Sequence, residues 1–241
     1  MYKLVFLDTE TTGNMPDDVL CQLAFKTQGE NAETFCELYK PSKKIPPEAS
    51  AITHITNKMV ADKPAFQDSP KYARIKELLE DPEAVLVAHN AEFDIGMLKK
   101  EGINPANNIC TLRVARALDT KGVHPQYRLQ YLRYALEIEI EAQAHDALGD
   151  VMVLEALFGR LLEAVKREGN VDREAAIEKM IEISSRPSLL RTFNFGKYNG
   201  KAIAEVAAID LGYLDWLLAQ KLQNETGEVD WVYTLKFYLK K

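Results

Sequence analysis

The stretch Tyr2-Lys3-Leu4-Val5-Phe6-Leu7-Asp8-Thr9-Glu10-Thr11-Thr12-Gly13 constrains the fold more than any other. Its first residues are apolar and β-prone, which predicts a strand buried on both faces of a sheet. Strand side chains alternate, so Asp8 and Glu10 point to one side and Thr9 to the other. Thr11-Thr12-Gly13 then ends the run. Two carboxylates side by side at a buried strand end repel each other, by about 4 kcal/mol at ~4 Å and an effective dielectric near 20. A fold keeps such a pair where something positive sits between them, and hard divalent cations take oxygen ligands. An isolated Asp-x-Glu is more often a polar strand terminus, so the assignment depends on acids further along the chain.

The segments that follow alternate in type. Val19 to Gln28 and Thr34 to Tyr39 read as strands that form an antiparallel meander with the first. Glu48 to His54 and Pro70 to Glu80 read as helices, and Ala84 to Ala88 as a short buried strand. Asn90 is placed to N-cap a helix from Ala91 to about Lys100, ended by Gly102. A strand over Asn108 to Thr111 precedes helices over Leu112 to Leu118 and Leu129 to Leu136. Leu148, Val151, Leu154, Phe158, Leu161, Leu162 and Val165 recur at helical spacing, which predicts one long helix from about Ala147 to Lys166. One more helix, Val171 to Ile183, leads into a tail of different texture rich in aromatic residues. Strands first, then strands alternating with helices, predict an α/β domain with a mixed sheet. The expected division is residues 1–170 and 171–241.

The 241 residues carry 30 Lys and Arg against 36 Asp and Glu, a net charge of −6. That argues against a protein that coats nucleic acid, which would be basic. It leaves room for an enzyme that holds nucleic acid through bound metal and a local basic patch. No apolar run approaches the ~20 residues of a membrane span, and Met1-Tyr2-Lys3 shows no signal-peptide pattern. Cys21, Cys36 and Cys110 lack metal-ligand spacing. They read as three buried thiols in a reducing compartment, hence a cytoplasmic protein.

Further acids do occur. Asp94 lies in His89-Asn90-Ala91-Glu92-Phe93-Asp94, one turn into a helix that follows a buried strand. His145 and Asp150 lie in Ala144-His145-Asp146-Ala147-Leu148-Gly149-Asp150. Within one helix those two would sit about 140° apart, on different faces. They converge only if the helix begins after His145, with Asp146 as N-cap.

Asp-x-Glu-Thr-Thr-Gly, His-Asn-Ala-x-Phe-Asp and Ala-His-x-Ala-x-x-Asp, in this order, resemble the DEDDh family of 3′→5′ exonucleases. The match covers about residues 2–165. It implies a ribonuclease-H-like fold, a mixed five-stranded sheet flanked by helices, with a small, mostly helical C-terminal module. By resemblance Asp8, Glu10, Asp94 and Asp150 hold two divalent cations, Mg²⁺ or Mn²⁺, and His145 is the general base. The residue types suit that chemistry. Paired metals roughly 3.5–4 Å apart offset the charge of a phosphodiester, and an imidazole of pKa near 6.5 can take a proton from water at neutral pH.

The same resemblance places Thr11, Thr12, His54, Asn90 and Phe93 against the terminal nucleotide. Each has an ordinary structural role as well: strand end, loop cap, helix cap or core aromatic. Arg186-Pro187-Ser188-Leu189-Leu190, Phe195-Gly196-Lys197-Tyr198-x-Gly200-Lys201 and Gly212-Tyr213-Leu214-x-Trp216-Leu217 are similar to the C-terminal module of a DNA-degrading branch of the family. There Arg191, Lys197 and Lys201 would supply phosphate-binding charge around Tyr198. The expected partner is DNA with a 3′ end, single-stranded or duplex. RNA is the alternative, since the catalytic motifs do not read the sugar, and a polymerase-bound proofreading subunit is a further one.

Overall fold

The computed structural model describes residues 2–29, 31–140, 147–223 and 228–241. Five strands form one sheet: β1 (Lys3–Thr11), β2 (Leu20–Thr27), β3 (Thr34–Leu38), β4 (Ala84–Ala88) and β5 (Asn107–Cys110). Their order across the sheet is β3-β2-β1-β4-β5. β1, β2 and β3 pair antiparallel, as the alternating segments predict, while β4 and β5 run parallel to β1. The pairing of β1 with β4 stops at Phe6, opposite Val87. Asp8 to Thr11 therefore runs past the end of β4, with only β2 beside it. Parallel strands open crevices at their carboxyl ends, and this is such an end.

The remaining chain is helical. The first part contributes α1 (Pro47–Thr53), α2 (Asn57–Val60), α3 (Tyr72–Glu80), α4 (Ala91–Lys100), α5 (Thr111–Leu118) and α6 (Leu129–Ala135). Then come α7 (Ala147–Gly169), α8 (Arg173–Ser184), α9 (Ile203–Ile209), α10 (Leu211–Lys221) and α11 (Val229–Leu239). The four-residue α2 carries no sequence signal, being shorter than one period of amphipathic pattern.

The pleat of β1 divides the core. Leu4 and Phe6 face α7, where they join Val151, Leu154 and Phe158. Phe6 meets Phe158 edge to face at 5.3 Å. Val5 and Leu7 face the other way, toward Ile75 and Leu79 of α3 and Ala91 and Leu98 of α4. Each such large apolar side chain contributes about 1.5–3 kcal/mol by leaving water. α8 packs on the first of these layers through Ala176, Ile177 and Met180.

The tail has a core of its own, built on Phe193, Tyr198, Ile203, Leu214, Leu217 and Leu235. Phe193 and Lys201 pair at the base of a loop in which Gly200 takes φ 81°, a left-handed value costly for other residues. Polar bonds tie this unit to the sheet domain. Asp230 accepts from Arg116 at 2.6 Å and from the backbone N–H of Ser188 at 2.8 Å. Cys21 and Cys110 are buried as expected, but Cys36 is exposed. It sits on the edge strand β3, whose alternate side chains face outward.

Candidate active site

The alternation that splits the core also sorts the acids. Asp8 and Glu10 continue the even-numbered face of β1, the face on which α7 lies. Asp150 is in the first turn of α7. One carboxylate oxygen from each of Asp8, Glu10 and Asp150 lies within 4.8 Å of the others. Asp8 and Glu10 are half-buried and Asp150 is buried. Three carboxylates offering oxygens to one point form a donor set that suits a hard divalent cation.

Asp94 is not a member of this group of three. It belongs to α4, on the odd-numbered face of β1, and meets Thr9 there. Its Oδ1 accepts from the Thr9 hydroxyl at 2.7 Å and from the Thr9 backbone N–H at 3.1 Å. Burial pushes the Asp94 carboxyl above the ordinary carboxylate range, and the two bonds from Thr9 work against that push. The side chain that points away from Asp8 and Glu10 thus anchors the fourth acid. Thr9 carried no functional signal in the sequence, because its partner is 85 residues away.

Gln130 was also invisible. It is the second residue of α6, and its amide donates to Asp150 Oδ1 at 2.5 Å. His145 and Asp146, the expected base and N-cap, lie outside the described residues.

Thr11 and Thr12 are buried and their hydroxyls serve the loop after β1 rather than pointing outward. Thr11 donates to the Gly13 carbonyl at 2.6 Å, and Thr12 to Asp18 Oδ1 at 2.7 Å. Asp18 also accepts from the Met15 N–H and pairs with Lys43. The Lys43 ammonium and the Thr12 hydroxyl hold its pKa down to about 2. Gly13 is required here: at φ 153° a Cβ would come within 2.4 Å of Asp18 Oδ2.

Asn90 corrects the expectation of a side-chain cap. It has left-handed backbone (φ 71°), which Asn tolerates, and makes no side-chain cap bond. Its side chain is left exposed. Phe93 is half-buried one residue before Asp94. His54 closes α1 through its backbone N–H, again left-handed at φ 59°, and is exposed. Lys197 and Lys201 lie over the Tyr198 ring at 4.7 and 5.8 Å, and Lys197 is paired with Asp210 at 3.0 Å.

His89 has both ring nitrogens engaged, Nδ1 with Thr111 Oγ1 at 2.9 Å and Nε2 with the Tyr127 carbonyl at 2.7 Å. It fastens the end of β4 to the 119–128 loop. Burial pushes its pKa down to about 4, so it is a neutral structural pin.

A sheet of this order with three acids at the open end of its first strand fits a metal-dependent nuclease, and the comparisons identify the family. A protein-family model described as exonuclease matches residues 5–158, and one described as exodeoxyribonuclease X-like C-terminal matches residues 193–221. The chain belongs to this exonuclease family and is a DnaQ-like 3′→5′ exonuclease. Exodeoxyribonuclease 10 of Escherichia coli K12 is 34% identical over 238 residues, covering 98% of each chain. The structure of exonuclease X in complex with 5′ overhanging duplex DNA matches with a TM-score of 0.59 and 27% identity, over 75% of this chain and 99% of that one. E. coli exonuclease I in complex with a dT13 oligonucleotide matches with a TM-score of 0.59 and 25% identity, over 70% of this chain and 43% of that one. Among the described residues no helix is long and apolar enough to cross a membrane.

Proposed function

We propose that this chain is a divalent-metal-dependent exodeoxyribonuclease that releases 5′-mononucleotides from the 3′ ends of single-stranded DNA and of duplexes, in repair or recombination. The observation that carries the reading is the meeting of Asp8, Glu10 and Asp150 at the uncovered end of β1. The DNA in the two structures it resembles, and the full-length likeness to a bacterial exodeoxyribonuclease, favour DNA as substrate.

Asp8, Glu10 and Asp150 would hold Mg²⁺ or Mn²⁺, with Asp94 supporting from the opposite face of β1. Bound there, such cations supply the positive charge that a phosphodiester needs before hydroxide can approach it, and they acidify water. Gln130 holds the Asp150 carboxylate in one orientation, so that part of the ligand set is in place before metal arrives. His145 is the proposed general base, its imidazole nitrogen taking the proton of the attacking water. Asn90 and Phe93 would flank the terminal nucleotide. Thr11 and Thr12 would act by shaping the loop behind it, His54 from the end of α1, and Lys197 and Lys201 from the tail. Residues 1–170 form the catalytic unit in this reading, and 171–241 a linker helix and accessory module.

The test is degradation of matched single-stranded DNA, duplex DNA and RNA with labelled 5′ ends, with and without Mg²⁺ or Mn²⁺. Metal-dependent shortening of both DNAs from the 3′ end is expected. Shortening of RNA alone would move the assignment to an exoribonuclease, and no DNA shortening without an added polymerase would move it to a bound proofreading subunit.

A further inference from the structure

At the same end of the sheet as the acidic cluster, a cavity of about 710 Å³ lies between the sheet domain and the tail. Its walls come from the end of β4, the 119–128 loop, and the segment from Leu189 to Asn194 with Trp231. Arg116, Arg128 and Arg191 line it, and no Asp or Glu does. In a chain of net charge −6 that is a concentrated basic surface.

Two of the three arginines are uncommitted. Arg116 is neutralised by Asp230. No carboxylate lies within ion-pair distance of Arg128 or Arg191 among the described residues. Arg191 packs its aliphatic stem over Gly122. Trp231 adds an aromatic wall, stacked on Phe193.

Two residues of its wall belong to segments that lead directly into the reaction centre. Asn90, on its wall, starts α4, the helix that carries Asp94. Arg128 immediately precedes α6, whose Gln130 holds Asp150. We propose that this groove binds the upstream part of the strand being degraded: phosphodiesters on Arg128 and Arg191, a base against Trp231, and the 3′ end at the acidic cluster. The volume is that of a pocket for a drug-sized ligand, with room for a short stretch of one strand. Phosphate charge and base stacking together are how sequence-independent single-strand grooves work. The inference rests on the exonuclease reading and adds to it a task for the tail, which closes one wall of the groove.

Fluorescence anisotropy with a 5′-labelled deoxydodecanucleotide in chelator, where nothing is turned over, tests this. A trinucleotide and thymidine monophosphate serve as competitors. Arg128→Ala with Arg191→Ala should weaken the dodecanucleotide about tenfold. The slope of log affinity against log salt should fall by about 1.4, at about 0.7 per single-strand phosphate. Trinucleotide and monophosphate affinities should change far less. Arg128→Ala alone, at an exposed position that leaves folding intact, should show about half the loss in slope. Unchanged dodecanucleotide affinity and slope would overturn the groove. An equal loss for all three ligands would overturn it too, by placing the arginines at the terminal nucleotide. The unsubstituted protein is assayed separately for 3′ hydrolysis with Mn²⁺; failure there would remove the exonuclease reading and leave the anisotropy result to decide the groove.

Discussion

The acidic cluster and the basic groove are neighbours at one end of the sheet, yet they are built differently. Asp8, Glu10 and Asp150 stand on a strand and a long helix whose contact is fixed by Phe6, Phe158 and the residues around them. The groove is made of loop and tail segments pinned by single polar bonds, such as His89 to the Tyr127 carbonyl and Arg116 to Asp230. The contrast teaches a division of labour. Chemistry that needs sub-ångström placement sits on packed elements, while substrate grip, which tolerates adjustment, sits on loops.

If the contrast is right, damage to the two regions should differ in kind. The largest effect is expected at the cluster: Asp8→Ala should lower DNA hydrolysis by about 10³-fold, equivalent to about 4 kcal/mol of transition-state stabilisation. Retention of near-parental turnover would break the comparison at its stronger end. Next comes the support from the opposite face of β1. Thr9→Val removes the hydroxyl donor from the buried Asp94 carboxyl and leaves it only the backbone N–H, at a cost of about 1–3 kcal/mol. In thermal unfolding each kcal/mol should lower Tm by about 2–4 °C for a chain of this size, and an unchanged Tm would contradict the assigned role.

A smaller effect is expected at the pin of the groove. Burial holds the His89 pKa near 4, below the ordinary 6.5. The unfolded chain therefore takes up a proton between those values that the folded chain does not. The stability is complete above pH 6.5 and declines as pH falls toward 4. His89→Gln should flatten that part of the stability profile, and an unaltered profile would remove the pin. The smallest effect sharpens the comparison by its sign. In chelator, Asp8→Asn should raise Tm by about 2–4 °C, because solvent screening of these half-exposed carboxylates leaves about 1 kcal/mol of like-charge repulsion to relieve. A site kept for function is stabilised when its function is removed.

The same contrast explains what could be read from the chain. Asp8, Glu10 and Asp150 were legible because their motifs together resemble the exonuclease family, while the two-residue period put Asp8 and Glu10 on one face of the strand. The meander and the long helix α7 were legible from the two-residue and helical periods. Asp94 was legible as an acid but not in its attachment, since no local pattern links it to Thr9. Gln130 gave no signal, being one polar residue at the start of a short helix. The groove was legible only in part: Arg191 stood out as a charge of the tail, whereas Arg128 gave no signal. Arg128 and Arg191 are brought together by loops and by the docking of the tail, and neither has a periodicity. Lys197 stood out because it lies in a recognisable motif, but it is paired with Asp210.

Manganese binding, measured by calorimetry on the metal-stripped protein and on Asp150→Asn, tests the central claim most directly. Heat of binding in the parent that is lost or greatly weakened in Asp150→Asn is the predicted result, because Asp8, Glu10 and Asp150 form one ligand set. Equal binding by the two proteins would show that the cation sits elsewhere and would contradict the account.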